Sequence, residues 1–208
     1  MKIKQENMKT TTSKTSGVFK VLGATTHSDT TREKNDWYST PKHAVTKLLE
    51  LEDFPKYIYE PCCAEGSISR VLESLNFKVK SEDLYDRGYG KSGIDFLKVP
   101  NKKINYSVIT NPPYKLSVPF IRKALEIVTK GNKVAMLLPL TFLESKGRAQ
   151  FFKETPPTRI YVSRSKITCA KEGNFEELRG KTGAMAMAWM IWDTNSNFSS
   201  DPVIKWFN

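Results

Sequence analysis

The stretch Tyr106-Ser107-Val108-Ile109-Thr110-Asn111-Pro112-Pro113-Tyr114 decides the prediction of the fold. Its first part is rich in β-branched and aromatic residues, which favours a strand. Two consecutive prolines have a fixed φ and no N–H group, so the strand has to end at them. In open α/β sheets, ligands bind at the carboxyl ends of the strands. The sequence therefore predicts that Asn111 and Tyr114 are held at a ligand-binding edge; a plain Asn-Pro turn is the structural alternative.

Length and composition indicate one globular domain. A chain of 208 residues with 39% hydrophobic residues is long enough to bury one full core. No apolar run approaches the roughly 20 residues that a membrane span needs, and residues 1 to 7 lack the apolar core of a signal peptide. We therefore expect a cytoplasmic protein with no membrane association.

The charge balance points to a polyanionic partner. Lys+Arg number 33 against 22 Asp+Glu, a net charge of +11, which favours DNA or RNA; a basic protein kept soluble by its charge is the alternative. The three cysteines, Cys62, Cys63 and Cys169, have no metal-site spacing to one another or to His27 and His43. We expect reduced thiols and no bound metal.

Two segments lack the regular apolar pattern. Residues 1 to about 35 carry seven basic and three acidic residues, which predicts a flexible basic arm before an ordered domain over residues 36–208. The segment Arg164–Lys181 is polar, charged and irregular. A loop of this length in a compact domain is usually functional or disordered.

The ordered domain begins with a predicted helix. Thr40 is the expected N-cap and Pro41 the first helical residue, and apolar residues at helical spacing extend the helix to about Leu51. Trp37 and Tyr38 precede the cap. They either pack as a hydrophobic staple or wall a ligand pocket.

A strand, a tight turn and a helix follow. The strand Lys56–Tyr59 leads into Glu60-Pro61-Cys62-Cys63-Ala64-Glu65-Gly66, and a helix then runs to about Asn76. Small residues let the backbone approach a ligand closely, and the helix N-terminus adds partial positive charge. The dinucleotide fingerprint G-x-G-x-x-G is absent, so this unit alone is a weak indication of function.

Acidic residues follow the next predicted strand, Phe77–Lys80. Glu82 and Asp83 lie about 20 residues after the turn, where α/β nucleotide binders place an acid that accepts hydrogen bonds from ribose hydroxyls. A solvated acidic strand end explains them equally well. In Ile94-Asp95-Phe96-Leu97 the acid either caps a local turn or accepts from an adenine amine while Phe96 packs on the ring.

The remaining chain continues the alternation of helices and strands. The predicted helices are Val118–Val128 and Arg148–Lys153. The predicted strands are Lys133–Leu138, Arg159–Val162 and Ala184–Trp192.

The ordered motifs resemble a known enzyme family. The motifs that carry the resemblance are Trp37 with Thr40-Pro41, the turn Glu60–Gly66, Asp83, Asp95-Phe96-Leu97 and Asn111-Pro112-Pro113-Tyr114. Together they resemble S-adenosylmethionine-dependent adenine-N6 DNA methyltransferases, in particular the small phage and bacterial type without a separate target-recognition domain. The resemblance covers about residues 36 to 193. It implies a Rossmann-like class I methyltransferase fold, an α/β architecture whose seven-stranded, mostly parallel sheet has one antiparallel hairpin at its edge. Ala64 departs from the family, which usually has Gly there, so the backbone approaches the cofactor less closely.

The resemblance implies S-adenosyl-L-methionine as cofactor. Its methionine moiety would be bordered by Trp37, Thr40 and Pro41, its amino and ribose region by the turn, its ribose hydroxyls by Asp83 and its adenine by Asp95 and Phe96. The expected cofactor-binding set is Trp37, Thr40, Pro41, Glu60, Pro61, Cys62, Ala64, Gly66, Asp83, Leu84, Asp95, Phe96 and Asn111. Carboxylates and aromatic faces suit a ligand with an ammonium, a sulfonium and a diol.

The catalytic residues implied are Asn111, Pro112, Pro113 and Tyr114. The Asn111 side-chain carbonyl and the Pro112 backbone carbonyl would accept the two N–H groups of an adenine amine, which directs the lone pair at the methyl group. Tyr114 would stack on a base swung out of the duplex. Neither a histidine nor a cysteine is needed as a general base.

DNA is the expected partner, in a bacterium or a phage-infected host. Phosphate contacts are expected from Lys115, Arg148, Arg164, Lys166 and Lys171. The alternatives are methylation of RNA adenine or of a protein glutamine, and a non-catalytic nucleic-acid binder on a methylase scaffold. The sequence leaves open the target site, the oligomeric state and a partner subunit for target recognition.

Overall fold

A computed structural model describes residues 37–171, 173–176, 185–196, 198 and 201–207. The predicted basic arm lies outside these residues, as do Ala184 and parts of the segment Arg164–Lys181. Among the described residues, no helix is both long and apolar enough to cross a membrane.

Nine strands and four α-helices make up the described part of the chain. The strands are β1 (Tyr38–Ser39), β2 (Tyr57–Glu60), β3 (Lys78–Ser81), β4 (Ser107–Thr110), β5 (Lys133–Pro139), β6 (Arg159–Ser163), β7 (Ala170–Lys171), β8 (Met187–Asp193) and β9 (Val203–Phe207). The helices are α1 (Lys42–Leu51), α2 (Ser67–Ser74), α3 (Ser117–Ile127) and α4 (Ala149–Glu154).

Seven of the strands form one sheet in the spatial order β3-β2-β4-β5-β8-β6-β9. Neighbouring strands from β3 to β5 are parallel, β8 runs antiparallel to both β5 and β6, and β9 is parallel to β6. The predicted α/β class with a seven-stranded, mostly parallel sheet is confirmed. A separate ribbon pairs β1 with β7 in antiparallel register.

Hydrophobic side chains cover both faces of the sheet. In β8, Trp189 packs with α1 and α2 on one face, whereas Trp192 packs with α3 and α4 on the other. Both indole rings are fully buried. The continuous apolar run in this part of the sequence therefore reflects a central strand that is buried on both faces.

An ionic network closes the amino edge of the sheet, where β5 and β6 begin. Glu52, just after α1, is 6% exposed and accepts from Lys133 Nζ at 2.6 Å, from Arg159 Nη2 at 3.1 Å and from the Tyr161 hydroxyl at 2.7 Å. Arg159 also pairs with Asp193 at 2.9 Å. The two carboxylates and the two cations of this network therefore neutralise one another within the protein.

Several predicted boundaries differ from the structure. The predicted cap at Thr40 is wrong, because α1 begins at Lys42 and Pro41 occupies the N-cap position. The apolar run around Asp95 ends in a 3₁₀ turn, Phe96–Lys98, in which the Asp95 carboxylate accepts from the Leu97 N–H. The seventh strand of the sheet is Val203–Phe207, which was not predicted from the sequence.

Candidate active site

The carboxyl ends of β2 and β4 lie side by side, because these strands pair in parallel. The turn Glu60–Gly66 begins at the last residue of β2, and Asn111 directly follows β4. The β1–β7 ribbon contacts the same edge through its hydrogen bonds to Asn111 and Glu65. Residues predicted from separate motifs are thus brought to one edge of the sheet.

The Asn111 side chain is fixed by groups of residues 37–40, the segment that contains β1 (the β1 segment). Its Nδ2 donates to the Tyr38 carbonyl and to Thr40 Oγ1, both at 3.2 Å, and lies 3.9 Å from Cys169 Sγ. A backbone carbonyl only accepts hydrogen bonds, so the group that faces Tyr38 has to be the amide NH₂. Asn111 Oδ1 is buried and has no hydrogen-bond partner among the described residues.

The two prolines and Tyr114 complete this turn. No hydrogen bond within the described residues uses the Pro112 carbonyl, whereas the Pro113 carbonyl accepts from Leu116 N at 2.8 Å and tightens the chain into a 3₁₀ turn. Tyr114 is half-buried and packs against both hydrophobic clusters. Burial raises the pKa of Tyr114 above its ordinary value, so its hydroxyl stays neutral. Its stacking on a base remains a prediction.

Three carboxylates surround the turn after β2. Glu60 is 1% exposed and accepts from the Ser69 hydroxyl. Burial, with a smaller contribution from the nearby charges of Glu65 and Asp83, raises the pKa of Glu60 to about 8. Within the described residues, none of these three carboxylates forms an ion pair with Lys or Arg.

Glu65 and Asp83 connect the turn to its neighbours. Glu65 accepts from the Trp37 indole N–H at 2.7 Å and from the Ser39 hydroxyl, which ties the β1 segment to the turn. Asp83 Oδ2 accepts from Ala64 N and Oδ1 from Tyr85 N, each at 2.9 Å. Each carboxylate oxygen has two acceptor positions, so Asp83 keeps capacity for a ligand hydroxyl.

The backbone of the turn explains the Gly that the family usually has at position 64. Ala64 has φ 47°, a left-handed conformation that Gly adopts without a Cβ penalty. Gly66 has φ 86°, and a Cβ there would lie 2.6 Å from the Tyr89 ring. Tyr89 therefore packs directly on this turn and requires Gly at position 66.

Four other residues of the predicted cofactor-binding set, Trp37, Asp95, Phe96 and Leu84, differ from one another in their contacts and exposure. The Arg87 guanidinium lies 4.0 Å from the centre of the Trp37 ring. The Asp95 carboxylate pairs with Lys98 at 3.0 Å. Phe96 is 2% exposed and packs edge-on against Tyr59, with ring centres 5.7 Å apart. Leu84 is 48% exposed.

All three cysteines are free thiols. Burial raises the pKa of Cys62 well above its usual value and the pKa values of Cys63 and Cys169 to about 12, so the thiols stay protonated. No group of three or more metal-ligating side chains is found in the part of the chain that the structure describes.

Arg148 has a structural role that its sequence position did not indicate. Its guanidinium donates to the Phe142 carbonyl at 2.6 Å and the Thr141 carbonyl at 3.0 Å, and it lies 4.7 Å from the centre of the Phe142 ring. Arg148 thus holds the turn after β5. A contact with nucleic acid stays a prediction for this residue.

The other four predicted phosphate-binding residues are exposed. They are Lys115, Arg164, Lys166 and Lys171. Lys115 directly follows Tyr114, and Lys171 lies opposite Tyr38 in the β1–β7 ribbon. Lys115 is therefore close to Asn111 in the sequence, and Lys171 pairs with Tyr38, whose carbonyl accepts from Asn111 Nδ2.

Three groups at this site were not predicted from the sequence. The Tyr38 carbonyl and the Cys169 thiol both contact Asn111, and Glu65 receives two hydrogen bonds from the β1 segment. Glu65 gave a usable signal, since it is a carboxylate inside the turn of small residues. Cys169 gave none, because the two-residue strand that follows it is too short to show a period.

Solved structures of other proteins share this fold. No family model matches the sequence, and no curated protein does. A structure described as a candidate RNA methyltransferase from Pyrococcus horikoshii is 19% identical, with 75% of this chain and 85% of that chain covered and a TM-score of 0.55. A candidate class I S-adenosylmethionine-dependent methyltransferase from Listeria monocytogenes is 14% identical, with 89% and 69% covered and a TM-score of 0.55.

A third structure comes from a multi-subunit system. The modification subunit of a candidate type I restriction enzyme from Vibrio vulnificus is 12% identical, with 82% of this chain and 47% of that chain covered and a TM-score of 0.53. At these identities the likeness concerns the fold. The chain has the class I methyltransferase fold, as the motif resemblance implied.

Proposed function

We propose that this protein transfers a methyl group from S-adenosyl-L-methionine to the N6 amine of adenine in DNA. The observation that carries the proposal is the buried, unpartnered Asn111 Oδ1 at the carboxyl end of β4. A buried acceptor without a partner costs about 1–3 kcal/mol, so its retention calls for a donor supplied from outside the chain. A substrate N–H is such a donor.

The residues around the turn suit the proposed cofactor. Glu60, Glu65 and Asp83 bring three carboxylates together, and none of them forms an ion pair with Lys or Arg within the described residues. A ligand with an ammonium group and a ribose diol supplies the missing charge and the hydroxyl donors. When bound, the cofactor supplies an electrophilic methyl group on a sulfonium.

The Asn111 turn supplies the acceptors for the substrate amine. Asn111 Oδ1 and the Pro112 carbonyl take its two N–H groups, which localises the nitrogen lone pair and stabilises the positive charge that develops on nitrogen. The Asn111 NH₂ is already used by Tyr38 and Thr40, so it does not compete for the substrate. The neutral Tyr114 ring offers a face for the base.

Nucleic acid is the proposed substrate because of the charge. The chain carries a net charge of +11, and Lys115, Arg164, Lys166 and Lys171 are exposed. Such cations steer a polyanion and bind its phosphates. The same acceptor pair also suits an RNA adenine or a glutamine amide, and these substrates are outcomes of the test.

The test uses radiolabelled cofactor with duplex DNA, RNA and protein acceptors in parallel. The reacted nucleic acid is digested to nucleosides, and label is expected in N6-methyladenine from DNA. Label in RNA adenine alone, in cytosine or in protein would contradict the DNA proposal. An absence of cofactor binding by calorimetry, with DNA binding intact, would leave a non-catalytic scaffold.

The Asn111→Ala variant tests the residue that carries the proposal. Removing one preorganised group at a developing charge typically lowers kcat by about 10²–10³-fold. Cofactor affinity, measured by calorimetry, is expected to persist because the variant leaves Glu60, Glu65 and Asp83 intact. Asn195→Ala is the matched control, since Asn195 is exposed and follows β8 at the opposite edge of the sheet. Equal turnover in the two variants would refute the role of Asn111.

A further inference from the structure

We propose that Thr40 is a positioning residue for Asn111: its hydroxyl fixes the side-chain amide so that Oδ1 stays aimed at the substrate amine. The inference rests on the proposed methyl transfer and deepens it. The motif resemblance gave Thr40 a different task, as a border of the methionine moiety. The contacts of Thr40 point to the carboxamide of Asn111, which is 71 residues away in the sequence.

Thr40 is itself held firmly. It is 2% exposed, and its backbone N–H donates to Ser67 Oγ, at the first residue of α2, at 3.2 Å. Its hydroxyl does not cap α1, because that helix starts two residues later with Pro41 as its N-cap. The hydroxyl is therefore available to accept from Asn111 Nδ2 at 3.2 Å.

Two acceptors determine the orientation of the Asn111 amide. An amide NH₂ has two N–H donors, and the Tyr38 carbonyl and Thr40 Oγ1 take one each. With both satisfied, rotation of the carboxamide breaks two hydrogen bonds and turns Oδ1 towards the Tyr38 carbonyl, which only accepts. Thr40 thus supplies half of the polar contact that holds the productive orientation.

The β1–β7 ribbon supports this arrangement from the other side. Ser39 pairs with Ala170 in antiparallel register, so Thr40 and Cys169 lie at the same end of the ribbon, and Cys169 Sγ lies 3.9 Å from Asn111 Nδ2. A thiol is a weak acceptor, so it adds packing and little hydrogen-bond strength. The hydroxyl of Thr40 is therefore the side-chain group that matters most for orientation.

Thr40→Val tests the inference, with Thr40→Ser as the matched control. Valine keeps the shape and removes the acceptor, which leaves one buried N–H of Asn111 unpaired. We expect kcat to fall about tenfold, corresponding to roughly 1.4 kcal/mol, while the cofactor Kd from calorimetry stays unchanged. Serine restores the acceptor and is expected to restore kcat.

The alternative role gives the opposite pattern. If Thr40 only borders the cofactor, Thr40→Val weakens cofactor binding and leaves kcat at saturation intact, and this result would overturn the proposal. Thermal melting of both variants checks folding, and Thr40→Ala replaces Thr40→Val if the valine variant does not fold.

A second readout separates this inference from the proposed activity. In ¹⁵N-labelled protein, the Asn111 side-chain NH₂ resonances are expected to shift and broaden in Thr40→Val and to return to the wild-type positions in Thr40→Ser. This measurement needs no methyl acceptor. If wild type methylates no nucleic acid but the resonances respond in this way, the proposed function fails and the positioning role stands; resonances that do not respond reject the positioning role.

Discussion

Each edge of the sheet contains a buried glutamate, and the side chains around the two carboxyl groups differ. At the amino edge, Glu52 is 6% exposed and lies within hydrogen-bond distance of Lys133, Arg159 and Tyr161. At the carboxyl edge, Glu60 is 1% exposed and receives a hydrogen bond from the Ser69 hydroxyl. Both residues are buried carboxylates, and they differ in the charge of their neighbours.

The pKa values of the two carboxyl groups diverge accordingly. Burial by itself raises the pKa of Glu52, but hydrogen bonds from Arg159, Lys133 and Tyr161 outweigh burial and hold the pKa below its ordinary value. Burial dominates at Glu60, where the charges of Glu65 and Asp83 add to it and raise the pKa to about 8. A buried acid paired with cations within the protein contributes to folding. A buried acid without one is suited to a cationic ligand.

The largest effect is expected from removing the charge at the amino edge. Glu52→Gln leaves Lys133 and Arg159 without their shared counterion, and breaking a buried pair costs about 3–5 kcal/mol. The side chains of these cations are 16% and 23% exposed, so we expect the lower end, about 3 kcal/mol. Urea unfolding at pH 7 measures this loss, while kcat of the folded protein is expected to stay at the wild-type value.

The control for Glu52→Gln is Glu50→Gln, two residues earlier in the last turn of α1. Glu50 is exposed and pairs with Lys47 at 2.7 Å, a surface pair expected to contribute less than about 0.5 kcal/mol. Equal losses in the two variants would mean that the amino-edge network does not stabilise the fold.

The same substitution at the carboxyl edge is expected to change binding instead. Glu60→Gln keeps the acceptor for Ser69 and removes the carboxyl group that we propose ionises when the cationic cofactor binds. A hydrogen bond to a charged group contributes about 1.5–3 kcal/mol, so cofactor affinity is expected to fall at least about tenfold. Calorimetry measures the Kd.

The stability of the Glu60→Gln variant is compared with that of Glu52→Gln. Because the pKa of Glu60 is about 8, the wild-type side chain is mostly neutral at pH 7, and an uncharged glutamine replaces it at little cost. A loss of stability as large as that of Glu52→Gln, with cofactor affinity unchanged, would reverse the roles assigned to the two edges.

The sequence predicted the carboxyl edge better than the amino edge, and topology is the reason. Glu60 is the last residue of β2, Asp83 and Asn111 come after β3 and β4, and parallel strands bring their carboxyl ends to one edge. Local patterns were therefore enough to bring these residues together. The network at Glu52 depends on residues 81 and 107 positions away, Lys133 and Arg159, and neither position shows a local pattern.

Short elements and local rules account for the other differences. Thr40 satisfies the sequence rule for a helix cap, but its hydroxyl is used by a tertiary contact with Asn111 instead. The ribbon strand Ala170–Lys171 has two residues, too few for a period. The edge strand Val203–Phe207 exposes four of its five residues, so no alternation of buried and exposed positions marks it.

Per pH unit, the smallest expected effect is a pH dependence of opposite sign at the two edges. The folded Glu60 holds its proton up to about pH 8, whereas the unfolded side chain releases it near the ordinary value of 4.5. Between these limits the folded state binds more protons, so stability falls as pH rises, by at most about 1.4 kcal/mol per pH unit for one proton. Glu52 acts in reverse: its pKa is lowered on folding, so its stabilisation is present above about pH 4.5 and is lost as pH falls through the folded value.

Unfolding curves from pH 3 to pH 9 separate these two contributions. Glu60→Gln is expected to flatten the slope between pH 5 and 8 and to leave the acid limb unchanged, and Glu52→Gln is expected to do the converse. Because a cationic cofactor favours ionised Glu60, its binding near pH 7 is expected to release a proton. Calorimetry in buffers of different ionisation enthalpy measures that proton, and a binding heat that is independent of the buffer would show that cofactor binding does not ionise Glu60.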